Sequence, residues 1–316
     1  GLRAGDGGIR AMKTLRLARA LARRRWAESR VDRFAHGIEI GSILFFLVAV
    51  VVCVTHLLYA SIHLRTKKSE RLSGYAHQYL GEFGGKIASV TYPFHIFGSN
   101  LIHLLLGGQF LAVLFSHFGW GMGVLHWQAL FWAVVAVCIL YGVRFVIRLE
   151  AVGTWLLLAG MFVSMIVLAS VSSPPSFEPA FSSVVPSVFG IFLFSLFGLP
   201  VVGEVVDIVG KKARAAYIIV AVGTLLAACV SWLFALSLVR VATDIPTDAF
   251  ALQAFFPRYG WWIIPSVGFL AIFTSYLTTA QDLMKSFQVD WGFRRDRALV
   301  LALFPPFILL FISRTK

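Results

Sequence analysis

The sequence predicts an all-α polytopic membrane protein of about eight transmembrane helices, and three observations carry that prediction. The 316-residue chain is 59% hydrophobic and only 14% charged, with a mean hydropathy of +0.82. A water-facing domain carries roughly 25% charged residues, so a soluble enzyme, a secreted domain and a disordered regulator are excluded. Eight mostly apolar stretches account for most of the chain, several exceeding the ~20 residues that cross a bilayer. Basic residues, finally, alternate in clusters between those stretches, as membrane anchors do.

The stretches are read in order as spans near 38–64, 87–116, 126–147, 150–171, 184–208, 215–240, 261–287 and 298–313. The first follows a basic tail and ends at HLRTKK. The second ends before the glycine-rich GWGMG at 119–123, and the fourth ends at SSPPSFEPAFSS (172–183), which has no basic residue and reads as external. Fourteen basic residues fall on one side: Arg65, Lys67, Lys68, Arg71, Lys86, Arg144, Arg148, Lys211, Lys212, Arg214, Lys285, Arg294, Arg295 and Arg297. Only Arg240, Arg258, Arg314 and Lys316 fall on the other, so the first side is assigned to the cytoplasm. The net charge of +13 is thus an anchoring pattern between apolar runs, and nucleic acid is not expected as a partner; the lipid bilayer is. Cys53, Cys138 and Cys229 lie singly inside apolar runs, with neither disulfide nor metal spacing.

Polar groups inside spans are costly, and so they mark candidate sites. Within 184–208, Pro200 cannot supply a helical N–H, and Gly190, Gly198 and Gly203 weaken the helix around it. A break near Ser195–Pro200 would free backbone groups at mid-membrane depth, where they can hold a carboxylate, an amine or an ion; a satisfied proline kink is the competing reading. In 87–116, Asn100, His103 and Gly107 share one face, and Gly107–Gly108 permits close helix approach. In 261–287, Thr274, Thr278 and Gln281 form one stripe, with Ser275, Thr279 and Asp282 beside it. Those hydroxyls either bond back to their own carbonyls or offer oxygen ligands for Na⁺ or a proton-linked water. Asp282 and Lys285 read as an ion pair at i, i+3, and Asp207 with Lys211 as another at i, i+4. Glu204 has no basic residue three or four positions away, so it is either a coupling carboxylate or the partner of a cation from a distant loop. Membrane haem is a further alternative on eight histidines, but His56/His63 and His95/His103 are only 7 and 8 residues apart, about 11–12 Å, too close for two haems.

Five segments stand in the order and spacing of one family: HLRTKKSERLSGYAHQYLGEFGGKIA (63–88), FGSNLIHLLLGGQFL (97–111), FSLFGLPVVGEVVDIVGKKARAA (194–216), FTSYLTTAQDLMKSF (273–287) and LFPPFILLF (303–311). They resemble amino acid permeases of the amino acid–polyamine–organocation superfamily, nearest to the aromatic and hydroxy amino acid permeases and the amino acid/auxin permeases. The resemblance implies a leucine-transporter-like inverted-repeat fold, here partial, with 38–64 as its second helix and 184–208 as its broken sixth. It implies a secondary transporter of the cell membrane, not an enzyme, which moves amino acids by alternating access, coupled to H⁺ or Na⁺ and without a cofactor. The substrate would meet the backbone at Ser195, Leu196, Phe197, Gly198 and Leu199, with Asn100 and His103 lining the cavity. Coupling would involve Thr274, Ser275, Thr278 and Glu204. A non-transporting scaffold or receptor of the same fold, and less readily a haem oxidoreductase, are the alternatives. A glycine-rich broken first helix should precede residue 38. Residues 1–36 contain ten basic residues and nothing of that kind, and they are expected not to span the membrane. They read as a tail foreign to the transporter core of 37–316, with an interfacial helix or a targeting peptide as alternatives.

Overall fold

The computed structural model describes residues 38–67, 69–116, 118–169, 185–210, 212–239 and 262–312. The basic tail 1–36, the segment 172–183 and Lys211 lie outside them. Among the described residues every regular element is an α-helix: α1 Ile38–Arg65, α2 Leu72–Ser116, α3 Val124–Tyr141, α4 Val143–Ala169, α5 Val185–Leu196, α6 Leu199–Val209, α7 Ala213–Val239, α8 Ile263–Val289 and α9 Arg295–Ile312. Seven units are long and apolar enough to cross a bilayer, with α5 and α6 counting together as Phe189–Val209. The chain is an all-α, multi-pass membrane protein.

Two expected boundaries moved, both at glycines with positive φ. Helix α2 starts at Leu72 rather than near residue 87 and runs for 45 residues, roughly 67 Å, far more than a bilayer needs. Gly81, at φ 73° and ψ −171°, divides it into a short N-terminal piece and a long membrane piece. Only glycine adopts that conformation readily, and a Cβ there would meet no other atom. Gly81→Ala should therefore cost about 1–3 kcal/mol through the backbone alone. Thermal unfolding in detergent checks it, and an unchanged midpoint would show that the junction is not strained. The second shift is at Gly142, φ 100°, which ends α3 six residues earlier than the apolar pattern suggested. Arg144 and Arg148, counted among the basic residues of the cytoplasmic side, and Glu150 consequently all belong to α4.

Helix α8 forms the centre. Its Phe273, Tyr276, Leu277, Ala280, Leu283, Met284 and Phe287 pack with Tyr92, Ile96 and Leu104 of α2, Trp127 and Phe131 of α3, and Ala302 and Leu303 of α9. Gly107 and Gly108 do let α2 approach α3: an added Cβ would meet the Phe131 ring at 2.6 Å and the Gln128 backbone at 2.7 Å respectively. A second layer joins α1, α6 and α7 through Tyr59, Ala60, Val202, Val206, Ala216 and Val220. Further along α1, Phe45, Val48, Ala49 and Val52 meet Leu196 and Ala228.

Contacts between helix ends agree with the charge alternation. The Arg71 amide, just ahead of α2, donates to Asp290 Oδ1 beyond α8 at 2.8 Å, and its guanidinium reaches Asp207 near the end of α6. Arg295, opening α9, donates to the Leu140 carbonyl at the end of α3 at 3.0 Å. Arg71 and Arg295, from two of the basic clusters, thus meet the ends of other helices at one end of the bundle.

Candidate functional site

The expected interruption of 184–208 is present at Phe197–Gly198. Gly198 leaves helical geometry at φ −130°, ψ 16°, and Pro200 sits in the first turn of a new helix, where a missing N–H is no loss. Its neighbours bond in short turns, Phe197 N–H to the Phe194 carbonyl at 3.4 Å and Val201 N–H to the Gly198 carbonyl at 3.0 Å. The Gly198 amide has no helical partner and donates instead to His56 Nε2 of α1 at 3.2 Å. The other ring nitrogen, Nδ1, lies 2.9 Å from Thr224 Oγ1 of α7. One histidine therefore ties the break to two other helices.

Of the residues expected around the break, Leu196 is buried in the α1–α7 layer, while Phe197, Gly198 and Leu199 are half-buried. Ser195 is exposed and bonds back to the Phe192 carbonyl at 2.9 Å, so its hydroxyl is not turned toward the interior. Phe197 lies 4.8 Å from the His95 ring, and Phe194 lies 5.9 Å from the His103 ring. The α5–α6 junction thus adjoins the polar face of α2.

That face continues into α8. Asn100, fully buried, accepts a hydrogen bond from Thr279 at 2.6 Å, and His103, 5% exposed, stands 6.3 Å from the Tyr276 ring. Among the described residues, Asn100 Nδ2, His103 Nδ1 and Tyr276 OH are buried without a hydrogen-bond partner. Buried polar atoms are paired in the great majority of cases, so three orphans on one α2–α8 surface single out a place where polar groups converge.

The threonine stripe divides over two faces. Thr274 bonds back to the Leu270 and Ala271 carbonyls at 2.9 and 3.2 Å, and Ser275 is exposed on another side of α8. Thr278 bonds back to the Thr274 carbonyl at 3.0 Å and also donates to Glu150 Oε1 of α4 at 2.6 Å. Glu150, about two turns into α4, stands in the sequence at the first position of the apolar run 150–171, close to Arg148, where an acid gives no sign of an interhelical partner.

Toward the charge-rich end lies a network that sequence reasoning saw only in part. Its hub is Arg71, 4% exposed, whose Nη2 contacts Asp207 at 2.9 Å and Glu204 at 3.3 Å while Nε faces Asp282 at 3.6 Å. Glu204 also pairs with Lys285, Asp282 accepts a hydrogen bond from Tyr92, and His63 Nε2 contacts Asp207 at 2.9 Å. The expected Asp282–Lys285 pair is thereby corrected. Three residues apart on a helix, the two side chains diverge, and each finds its partner on another element: Asp282, 3% exposed, turns inward and Lys285 turns to α6. Asp207 is held by Arg71 and His63, while Lys211 lies outside the described residues. Glu204 has its cations after all, from the segment before α2 and from α8. Burial works against the Arg71 charge, yet Asp282, Glu204 and Asp207 together hold its guanidinium above the ordinary arginine range. At Asp290, burial pushes the carboxyl up, against the pull of the Arg71 and Gly74 amides and the Ser286 hydroxyl. Nothing in the sequence set Arg71 apart from Arg65, Lys67 and Lys68 of the same basic cluster.

His56 and His63, weighed above as haem ligands, use their Nε2 atoms on Gly198 and Asp207. Neither a known protein-family model nor any curated protein matches this chain.

Proposed function

We propose that this chain is the core of a secondary amino acid transporter that works by alternating access, with the leucine-transporter-like fold and superfamily membership its five segments suggest. The observation that carries the reading is the interruption at Phe197–Gly198 inside an otherwise membrane-long helix, beside the orphan polar atoms of Asn100, His103 and Tyr276. Interrupted helices at mid-depth are tolerated where the freed backbone is held by protein or lines a cavity, and transporters bind substrate carboxylates and amines at such ends. Backbone groups at Phe197–Leu199 would take the amino acid's charged ends, and Asn100, His103 and Tyr276 would face its side chain. The Arg71 network would close the charge-rich end, because it links α2, α6 and α8 and must part for those helices to separate there. Coupling would use H⁺ or Na⁺ and no cofactor, in the cell membrane. Proteoliposomes holding the purified chain should accumulate radiolabelled aromatic or hydroxy amino acids when an H⁺ or Na⁺ gradient is imposed. Uptake no greater than in empty vesicles would remove the transport reading and leave a non-transporting membrane protein.

A further inference from the structure

The geometry points to His56 as a proton-binding site that holds the α5–α6 interruption closed while neutral and releases it on taking up a proton. This deepens the transport reading, since it makes H⁺ the coupling ion, and its coupling role rests on that reading.

Hydrogen-bond polarity fixes the tautomer. A backbone N–H can only donate, so the Gly198 amide at 3.2 Å requires a bare lone pair on Nε2. The ring hydrogen then sits on Nδ1 and donates to Thr224 Oγ1, 2.9 Å away. A second proton can add only to the Nε2 lone pair, the one atom that the Gly198 N–H already occupies. The protonated ring has two donors and no acceptor, so two N–H groups would face each other across that distance. Closed junction and charged ring are therefore mutually exclusive. No bond between heavy atoms changes; the proton comes from water and returns to it.

Among the described residues nothing nearby compensates the charge. On α1, Tyr59 and His63 lie about one and two turns toward the charge-rich end, and His63 is engaged with Asp207. On α6, Glu204 and Asp207 are held by Arg71 and Lys285. On α7 the contact is the neutral Thr224, with Tyr217 and Arg214 two and three turns away. From α2, His95 lies against Phe197 rather than His56. Among the described residues His56 has no ion pair, and apolar groups of both α1 layers, Val52 with Leu196 on one side and Tyr59 with Val202 on the other, enclose its stretch of helix. The fit at Gly198 is close, since a Cβ there would stand 3.1 Å from His56 Cε1.

The test is amide hydrogen exchange of the segment around Gly198 in the purified full chain in nanodiscs, comparing wild type with His56→Gln. Glutamine can accept from Gly198 and donate to Thr224 but does not titrate in this range, so it cancels the intrinsic pH dependence of exchange. The two should exchange alike at about pH 8, and the wild type up to about tenfold faster at about pH 4, the loss expected for one released hydrogen bond. An equal ratio at both pH values would overturn the proposal. Should His56→Gln not fold, the ring ¹⁵N signals of the wild type decide. The Nδ1–H form at high pH, with a Gly198 amide shift that moves together with ring protonation, supports it; an Nε2–H form, or titration without any Gly198 response, overturns it. In proteoliposomes, His56→Gln should keep substrate exchange and lose pH-driven accumulation, and wild-type accumulation by the variant would end the coupling role. If the wild type takes up no amino acid, the transport reading fails while the exchange ratio still decides whether His56 latches the break.

Discussion

Replacing Arg71 with methionine should destabilise the protein by about 3–5 kcal/mol, the range for removing one partner of a buried ion pair. The loss is not shared equally among its three carboxylates. Asp207 is 36% exposed at its side chain and keeps His63, and Glu204 keeps Lys285. Asp282 is 3% exposed, and among the described residues only the Tyr92 hydroxyl is bonded to it beyond Arg71, so it bears most of the penalty as an uncompensated charge. The double variant Arg71→Met/Asp282→Asn should therefore recover more than half of the lost stability, since the pair is then neutral and comparable in volume. Arg71→Lys should fall between wild type and the methionine variant, because one ammonium cannot reproduce the fork that meets Asp282 through Nε and Asp207 and Glu204 through Nη2. Thermal unfolding of the four proteins in one detergent measures all of this. An Arg71→Met midpoint equal to wild type would mean that the network contributes nothing to stability, and a double variant no better than the single that Asp282 does not carry the penalty.

The second large effect is expected at Gly108. A Cβ there would meet the backbone N and Cα of Gln128, both at 2.7 Å, and backbone cannot swing aside as the end of a side chain can. Gly108→Val should cost about 3 kcal/mol, the upper end of ordinary overpacking, by prising α2 from α3. Gly98, ten residues earlier on the same helix, is the matched control: a Cβ there meets nothing within 4 Å. Gly98→Ala should be neutral or stabilising by up to about 1 kcal/mol through helix propensity. Equal losses at the two positions would show that the cost is propensity alone and that the close approach is not needed.

Much of the architecture was legible in the sequence because lipid imposes simple rules on composition and periodicity. All eight apolar runs became helices, or a helix pair in the case of 184–208, and the interruption fell where Gly198 and Pro200 weaken that run. The pairing of Gly107–Gly108 with a close neighbour was legible for the same reason: only small residues let two membrane helices approach. The turn at Gly142 was not, because a glycine between Tyr141 and Val143 in an apolar run looks the same whether φ is negative or positive. Asp282 and Lys285 show a different limit. Spacing along one helix predicts a local pair, and it carries no information about partners offered by other helices.

By itself the sequence determined that this is a multi-pass helical membrane protein, where its apolar runs lie, which of their ends carry the basic clusters, and that 184–208 is weakened at Gly198 and Pro200. Each of these follows from local chemistry: apolar length, basic clusters, and a proline that cannot donate a hydrogen bond. Only the tertiary structure decided that Arg71 is the buried hub of the charges, that Glu204 is paired, that Tyr276 joins Asn100 and His103, and that His56 holds the freed Gly198 amide. Those facts rest on residues that meet across separations of 81 to 219 positions, such as Glu204 with Lys285 and Arg71 with Asp290. A polar group inside a membrane must find a partner, and the sequence states that need; which partner satisfies it is settled by how the helices pack.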